Sequence, residues 1–132
     1  MLQTRKANPR AEYRLQQNER VGRSASLAER FPRLKSLRVE LEYFDASGLI
    51  RTGGMKYRPS LEHAKSLFCF NCVWGDCIGG DYDLSAELAR AVLARRTRVD
   101  GELRCQGVRH NRERKLHFPC HSLLRYKINL GY

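Results

Sequence analysis

Three of the five cysteines, Cys69, Cys72 and Cys77, fall within one short stretch, and the other two, Cys105 and Cys120, stand far along the chain with a charged segment between them. A tetrahedral structural metal site needs four thiolate or imidazole ligands, brought in as local pairs from separate loops. This spacing allows such a site if the later pair sits on two adjacent strands. The competing use of cysteine, disulfide formation, belongs to oxidising compartments. Apolar runs such as Leu67 to Phe70 are only four residues long, against roughly 20 for a bilayer crossing. Arg5, Lys6 and Arg10 are followed by no apolar stretch of the secretory kind. The expectation is therefore a cytoplasmic chain with reduced thiols and no membrane partner, and metal is the first reading of the cysteines.

The first ligand pair has two assignments. Cys69 with Cys72 makes a C-x-x-C, whereas Cys72 with Cys77 makes a longer loop around Val73, Trp74, Gly75 and Asp76. The longer loop is favoured. Cys69 lies within an apolar run and reads as a buried thiol, and Gly79 and Gly80 give backbone freedom just after Cys77. Cys105 and Cys120 meet if residues 103 to 108 and 118 to 124 run antiparallel. Cys69 and His121 are the alternates, so the expected Zn²⁺ ligands are Cys72, Cys77, Cys105 and Cys120, and spacing alone leaves open whether Cys69 or Cys77 completes the first pair.

This pattern resembles the broad class of zinc-ribbon and related cysteine-pair domains over residues 72 to 120. The resemblance implies a zinc ion that stabilises a fold and shapes a docking surface, rather than one that carries catalysis.

A length of 132 residues suits one domain. Residues 1 to 25 are thinly apolar and rich in Arg, Gln and Asn, and read as a flexible or partly helical basic arm. Residues 26 to 132 form the expected single zinc-stabilised domain. Leu37, Val39, Leu41 and Tyr43 alternate with Arg38, Glu40 and Glu42, the rhythm of a half-buried strand. Leu124, Tyr126, Ile128, Leu130 and Tyr132 repeat it near the end. Between them, Ser85 reads as the cap of a helix from Ala86 to Arg96, built from strong helix formers. Val99 to Val108 reads as a strand, and residues 110 to 117 as a charged excursion. The sum is an α+β fold: a mostly antiparallel sheet, one main helix on a face, and the zinc site at one end of the sheet.

The net charge is +11 and the isoelectric point about 9.9, a balance that calls for a polyanionic partner. Between Arg90 and Lys127 eleven basic residues face three acidic ones. Arg109, Arg112, Arg114 and Lys115 read as a phosphate-contacting loop, Arg104, Arg125 and Lys127 as an adjoining strip, and Trp74 as a stacking platform. RNA or a ribonucleoprotein is the favoured partner. Assembly with an acidic protein is the alternative, and thiol redox chemistry at Cys69 and Cys72 a further one. No phosphate-binding loop, nucleophile elbow or metalloprotease motif appears, so no enzyme activity is expected.

Overall fold

Nine residues of alternating character, Ser36–Phe44, form β1, and the strand faces its mirror pattern in β9, Leu123–Gly131. The computed structural model describes residues 9–74, 76–111 and 116–132, with Asn111 described in its backbone only. In chain order the elements are α1 (Pro9–Arg23), α2 (Leu27–Arg30), β1, β2 (Arg51–Tyr57), β3 (Cys69–Asn71), β4 (Cys77–Ile78), β5 (Asp81–Asp83), α3 (Ser85–Leu93), β6 (Arg98–Arg104), β7 (Val108–Asn111), β8 (Leu116–Pro119) and β9. They make an antiparallel four-stranded sheet in the order β2-β1-β9-β6, a β3-β5 pair, and a three-stranded sheet in the order β4-β7-β8.

Register explains why the sheet has one wet and one dry face. Leu37 lies opposite Leu130, Val39 opposite Ile128, Leu41 opposite Tyr126 and Tyr43 opposite Leu124, and all eight are buried. Slipping either strand by one residue would turn its whole apolar row to water. At about 1.5–3 kcal/mol for each fully buried large side chain, that row dominates the energetics of the pairing. The other face carries Glu40 opposite Lys127 and Glu42 opposite Arg125. Asp100 and Glu102 of β6 flank the same two bases from the far side.

Helix α3 sends Leu88 and Ala91 into the core that β1 and β9 line. Its start differs from the sequence reading: Leu84, not Ser85, holds the capping position. The Asp83 carboxylate accepts from the Ser85 N–H at 2.9 Å, while the Ser85 hydroxyl accepts from the Phe68 N–H at 2.7 Å and so ties β3 to the helix. At the other end the Arg95 N–H donates to Val92 O and the Arg96 N–H to Ala91 O, the paired closure of a Schellman turn. The helix therefore stops at Leu93, short of the expected Arg96.

The long strand expected from Val99 to Val108 is broken in two. Residues 105 to 107 step out of regular pairing between β6 and β7, and residues 120 to 122 do the same between β8 and β9. Hydrogen bonds from Cys105 N to Ser122 O and from Cys120 N to Gly107 O carry the antiparallel course across the gap. The two histidines expected on a loop, His110 and His117, are opposed on β7 and β8 with their rings stacked at 4.4 Å. Ser26 caps α2, accepting from Glu29 N at 3.2 Å. Of the basic arm, residues 1 to 8 lie outside the described residues; the remainder contains α1, which buries no side chain. Among the described residues no helix is long and apolar enough to cross a membrane.

Candidate metal centre

The break between β6 and β7 and the one between β8 and β9 put Cys105 and Cys120 side by side, and the loop from β3 to β4 lowers Cys72 and Cys77 onto them. All four sulfurs lie within 4.8 Å of one another, and all four residues are buried. Cys72 Sγ is 3.6 Å from Cys120 Sγ, and Cys77 Sγ is 3.6 Å from Cys105 Sγ. Ligands about 2.3 Å from a tetrahedral ion stand about 3.8 Å from each other, so the set has the dimensions of a four-thiolate cage. No disulfide joins any of the five cysteines. Four cysteines so placed can hold a metal ion.

The backbone around the sulfurs is shaped for close approach. A Cβ on Gly80 would run into the sulfurs of Cys77 and Cys105. One on Gly107 would stand 2.5 Å from Cys77 Sγ and 2.7 Å from the Gly80 Cα. Both positions demand glycine because backbone lies directly over the cluster. The Gly107 N–H donates to Cys105 Sγ at 3.3 Å, the kind of outer contact that fixes a ligating thiolate.

Ser122 is the buried hydroxyl of the site. Its Oγ lies 3.4 Å from Cys72 Sγ and 3.3 Å from Cys120 Sγ. Behind it the Tyr82 hydroxyl stands 2.7 Å from the same Oγ and also donates to Ser122 O at 3.2 Å. Burial pushes the Tyr82 phenol up, so it stays protonated as a donor. Nothing in the local pattern around Ser122, Tyr82, Gly80 or Gly107 announces these roles; only the fold assembles them.

The cluster's electrostatics call for a cation. Hydrogen bonding with Cys105 is the chief reason the Cys72 thiol is held down to about 4, and Ser122 and the Trp74 N–H act in the same direction against burial. Burial and then the charge on Cys72 push Cys77 up to about 12. Cys105 is pushed up as well, first by its hydrogen bond to Cys72 and then by burial. Cys72 thus takes the negative charge while Cys77 and Cys105 keep their protons. A divalent cation among them removes the conflict and lets the thiols ionise together.

The alternates for the ligand set do not join it. Cys69 sits half-buried on β3 opposite Asp83, and burial followed by that carboxylate pushes its thiol up to about 12. It pairs with Asp83 instead of Cys72, and its thiol is the opposite of a redox nucleophile. His121 is exposed, with a left-handed φ of 49°, and meets the site only through its N–H to Cys105 O at 3.2 Å.

The loop between Cys72 and Cys77 is braced from two sides. Arg109 lies over the Trp74 ring at 4.1 Å and pairs with Asp76 at 2.8 Å, with the Phe118 ring 5.3 Å away. From the other side α1 reaches the loop's carbonyls. Arg10 donates to Trp74 O and Cys77 O at 3.1 Å each, and Arg14 to Cys72 O at 3.4 Å. Tyr13 donates to the Asp81 carboxylate at 3.3 Å.

The residues read as a nucleic-acid surface are dispersed. Arg109 and Trp74 spend their faces on each other. Arg104 donates to the carbonyls of Ala46 and His121 at 2.9 Å. Arg125 pairs with Glu102 at 2.9 Å and covers the Phe44 ring. Lys127 stands between Glu40 and Asp100 in the sheet register. Arg112, Arg114 and Lys115 lie outside the described residues.

Comparison of the chain with protein-family models, with curated proteins and with solved structures gives no match.

Proposed function

We propose that this chain is a small, non-enzymatic binding module, closed by one structural zinc ion on Cys72, Cys77, Cys105 and Cys120, that holds nucleic acid, RNA before DNA. The observation that carries the metal half is the four buried sulfurs within 4.8 Å of one another. An all-sulfur tetrahedral set suits zinc or an iron–sulfur centre. Four protein ligands, each buried, leave no open coordination position for a substrate, which is the mark of a structural rather than a catalytic zinc site. Zinc would supply charge neutralisation and a crosslink between the β3-β4 loop and the β6–β9 strands.

The nucleic-acid half rests on charge: 25 Lys and Arg against 14 Asp and Glu leave +11 over 132 residues. The test is filter binding of the zinc-loaded protein to tRNA, ribosomal RNA and duplex DNA across a salt series. The expected result is association at low salt that falls linearly on a log–log plot; no association with any of them refutes it. A second reading, a protein-assembly module with the same zinc, is favoured by β8. This edge strand shows Leu116 and Phe118 to solvent, and unpaired edges invite pairing. A protein partner that stays bound after nuclease treatment would favour that reading.

A further inference from the structure

Six arginines are paired with carboxylates among the described residues: Arg38, Arg51, Arg90, Arg98, Arg109 and Arg125. Arg30, Arg33 and Arg95 are in none of these ion pairs, and they converge. A depression of about 220 Å³ between the end of α2, the end of α3 and the last residue is lined by these three, with Phe31, Leu93 and Tyr132 among its apolar walls and no Asp or Glu. An isolated surface arginine needs no explanation. Three around one hollow, with no acidic side chain among the lining residues, concentrate positive charge there.

The backbone at Arg95 gives an independent reason. The residue closes the Schellman turn of α3 with φ of 51°, a left-handed conformation that glycine adopts freely and a residue with a Cβ adopts under strain. A helix end built only to stop would carry glycine here. Arginine instead keeps a guanidinium at the mouth of the depression, and strain retained in this way points to use. Leu93 beside it is 89 % exposed, the most exposed large hydrophobic residue among the described residues. The Tyr132 hydroxyl is anchored to Arg96 O at 2.9 Å, which fixes its ring at the edge of the hollow.

Resting on the nucleic-acid reading above, we infer that this depression is where a single strand is gripped: Arg33 and Arg95, with Arg30 held over the Phe31 ring at 5.4 Å beside them, take backbone phosphate, and an adjoining unpaired base lies on the apolar wall of Leu93 and Tyr132. Guanidinium forks match phosphate oxygens two at a time, and rings beside a basic groove are how single strands are held without sequence preference. Duplex would present only its phosphates here and leave the wall unused. The contact surface thereby moves from the sheet's outer face, where acid interleaves with base, to the C-terminal ends of α2 and α3.

The test measures fluorescence anisotropy of a labelled single-stranded RNA of about 12 nucleotides with the zinc-loaded full chain. Arg33→Gln combined with Arg95→Gly should weaken binding at least about tenfold and lower the slope of log affinity against log salt by about 1.4, two contacts at roughly 0.7 each on a single strand. Thermal melting separates this from damage, because Arg95→Gly suits the left-handed position and should melt no lower than the parent. Arg38→Gln with Arg51→Gln, which removes the same charge from arginines paired with Glu40 and Glu42, should bind as the parent does. If the Arg33/Arg95 variant binds with parental affinity, the inference falls and the nucleic-acid reading stands. If the parent itself binds no RNA, or binds polyglutamate in its place, both fall.

Discussion

Arg10 Nε donates to the carbonyl of Cys77 at 3.1 Å, across 67 residues of chain, and this bond makes the position of α1 depend on the shape of the metal loop. The helix has no buried side chain of its own, so polar contacts hold it: those to the carbonyls of Cys72, Trp74 and Cys77, and Tyr13 to Asp81 just beyond the loop. Those carbonyls converge only while the loop is wrapped around the cluster. Removing the metal with a chelator should therefore free α1 before or together with the loss of the core. Limited proteolysis should cut between Pro9 and Arg23 rapidly after chelation and slowly before it. Arg10→Ala should speed cutting in the zinc-loaded protein without changing its metal content, each lost bond being worth about 0.5–1.5 kcal/mol.

The five cysteines should separate cleanly by mutation. Cys120→Ser removes one of four buried ligands and leaves three sulfurs that no longer close the site, so the protein should bind substantially less than one equivalent of zinc and lose its cooperative melt. Structural zinc contributes on the order of 10 kcal/mol to folding in small domains, comparable to the whole net stability of a chain of this size. Cys69→Ser should keep one equivalent and melt within about 2 kcal/mol of the parent, since it replaces one partly buried thiol outside the cluster. Metal analysis of the two purified proteins decides it, and equal zinc content in both would remove the assignment of Cys120.

Gly80→Ala puts a methyl group where the sulfurs of Cys77 and Cys105 already stand. The atoms in its way are short cysteine side chains fixed in the cluster, and Gly80 itself is held by the Cys72 N–H that its carbonyl accepts, so neither side yields freely. Overpacking of this kind costs about 1–3 kcal/mol, and here the displaced atoms are ligands. The expected outcome is a lower melting temperature together with weaker zinc retention in competition with a chromogenic chelator. Gly53→Ala, on an edge strand with open space around it, is the control that should change neither.

Much of this was legible in the residues and some was not, for a physical reason. The alternation in Leu37–Tyr43 and Leu124–Leu130 reports burial directly, because a strand shows its two faces in turn, and both strands lie where that rhythm puts them. The four clustered cysteines follow from spacing plus the antiparallel return of residues 118 to 124. What spacing cannot carry is proximity between residues with no shared rhythm. Ser122 looks like one more strand-flanking serine, and only the fold sets it between two sulfurs and Tyr82. Nor does a count of positive charges say which are spent. Arg125 and Lys127 share the outer face of the sheet as expected, yet Glu40, Asp100 and Glu102 come to the same face from strands distant in sequence. The break at Cys105–Gly107 is hidden for a similar reason: its residues suit a strand, and the departure from pairing is imposed by the cluster.

Ser122→Ala tests whether the hydroxyl tunes the metal site or only fills space. Its Oγ contacts two of the four sulfurs and lies 2.7 Å from the Tyr82 hydroxyl, so the substitution removes a polar contact to the thiolates while leaving Tyr82 the Ser122 carbonyl as its acceptor at 3.2 Å. Loss of an outer partner of this kind lowers metal affinity by about 10–100-fold. The fold should survive, because alanine is smaller and the backbone bond from Cys105 N to Ser122 O is kept. Zinc affinity measured by chelator competition should fall by that factor while zinc-saturated protein melts within about 2 kcal/mol of the parent. Tyr82→Phe should give a smaller drop, since it removes the second link in the relay and leaves the first in place. An unchanged affinity in Ser122→Ala would reduce the hydroxyl to a space-filling role and leave Gly107 N–H as the remaining backbone donor seen on Cys105.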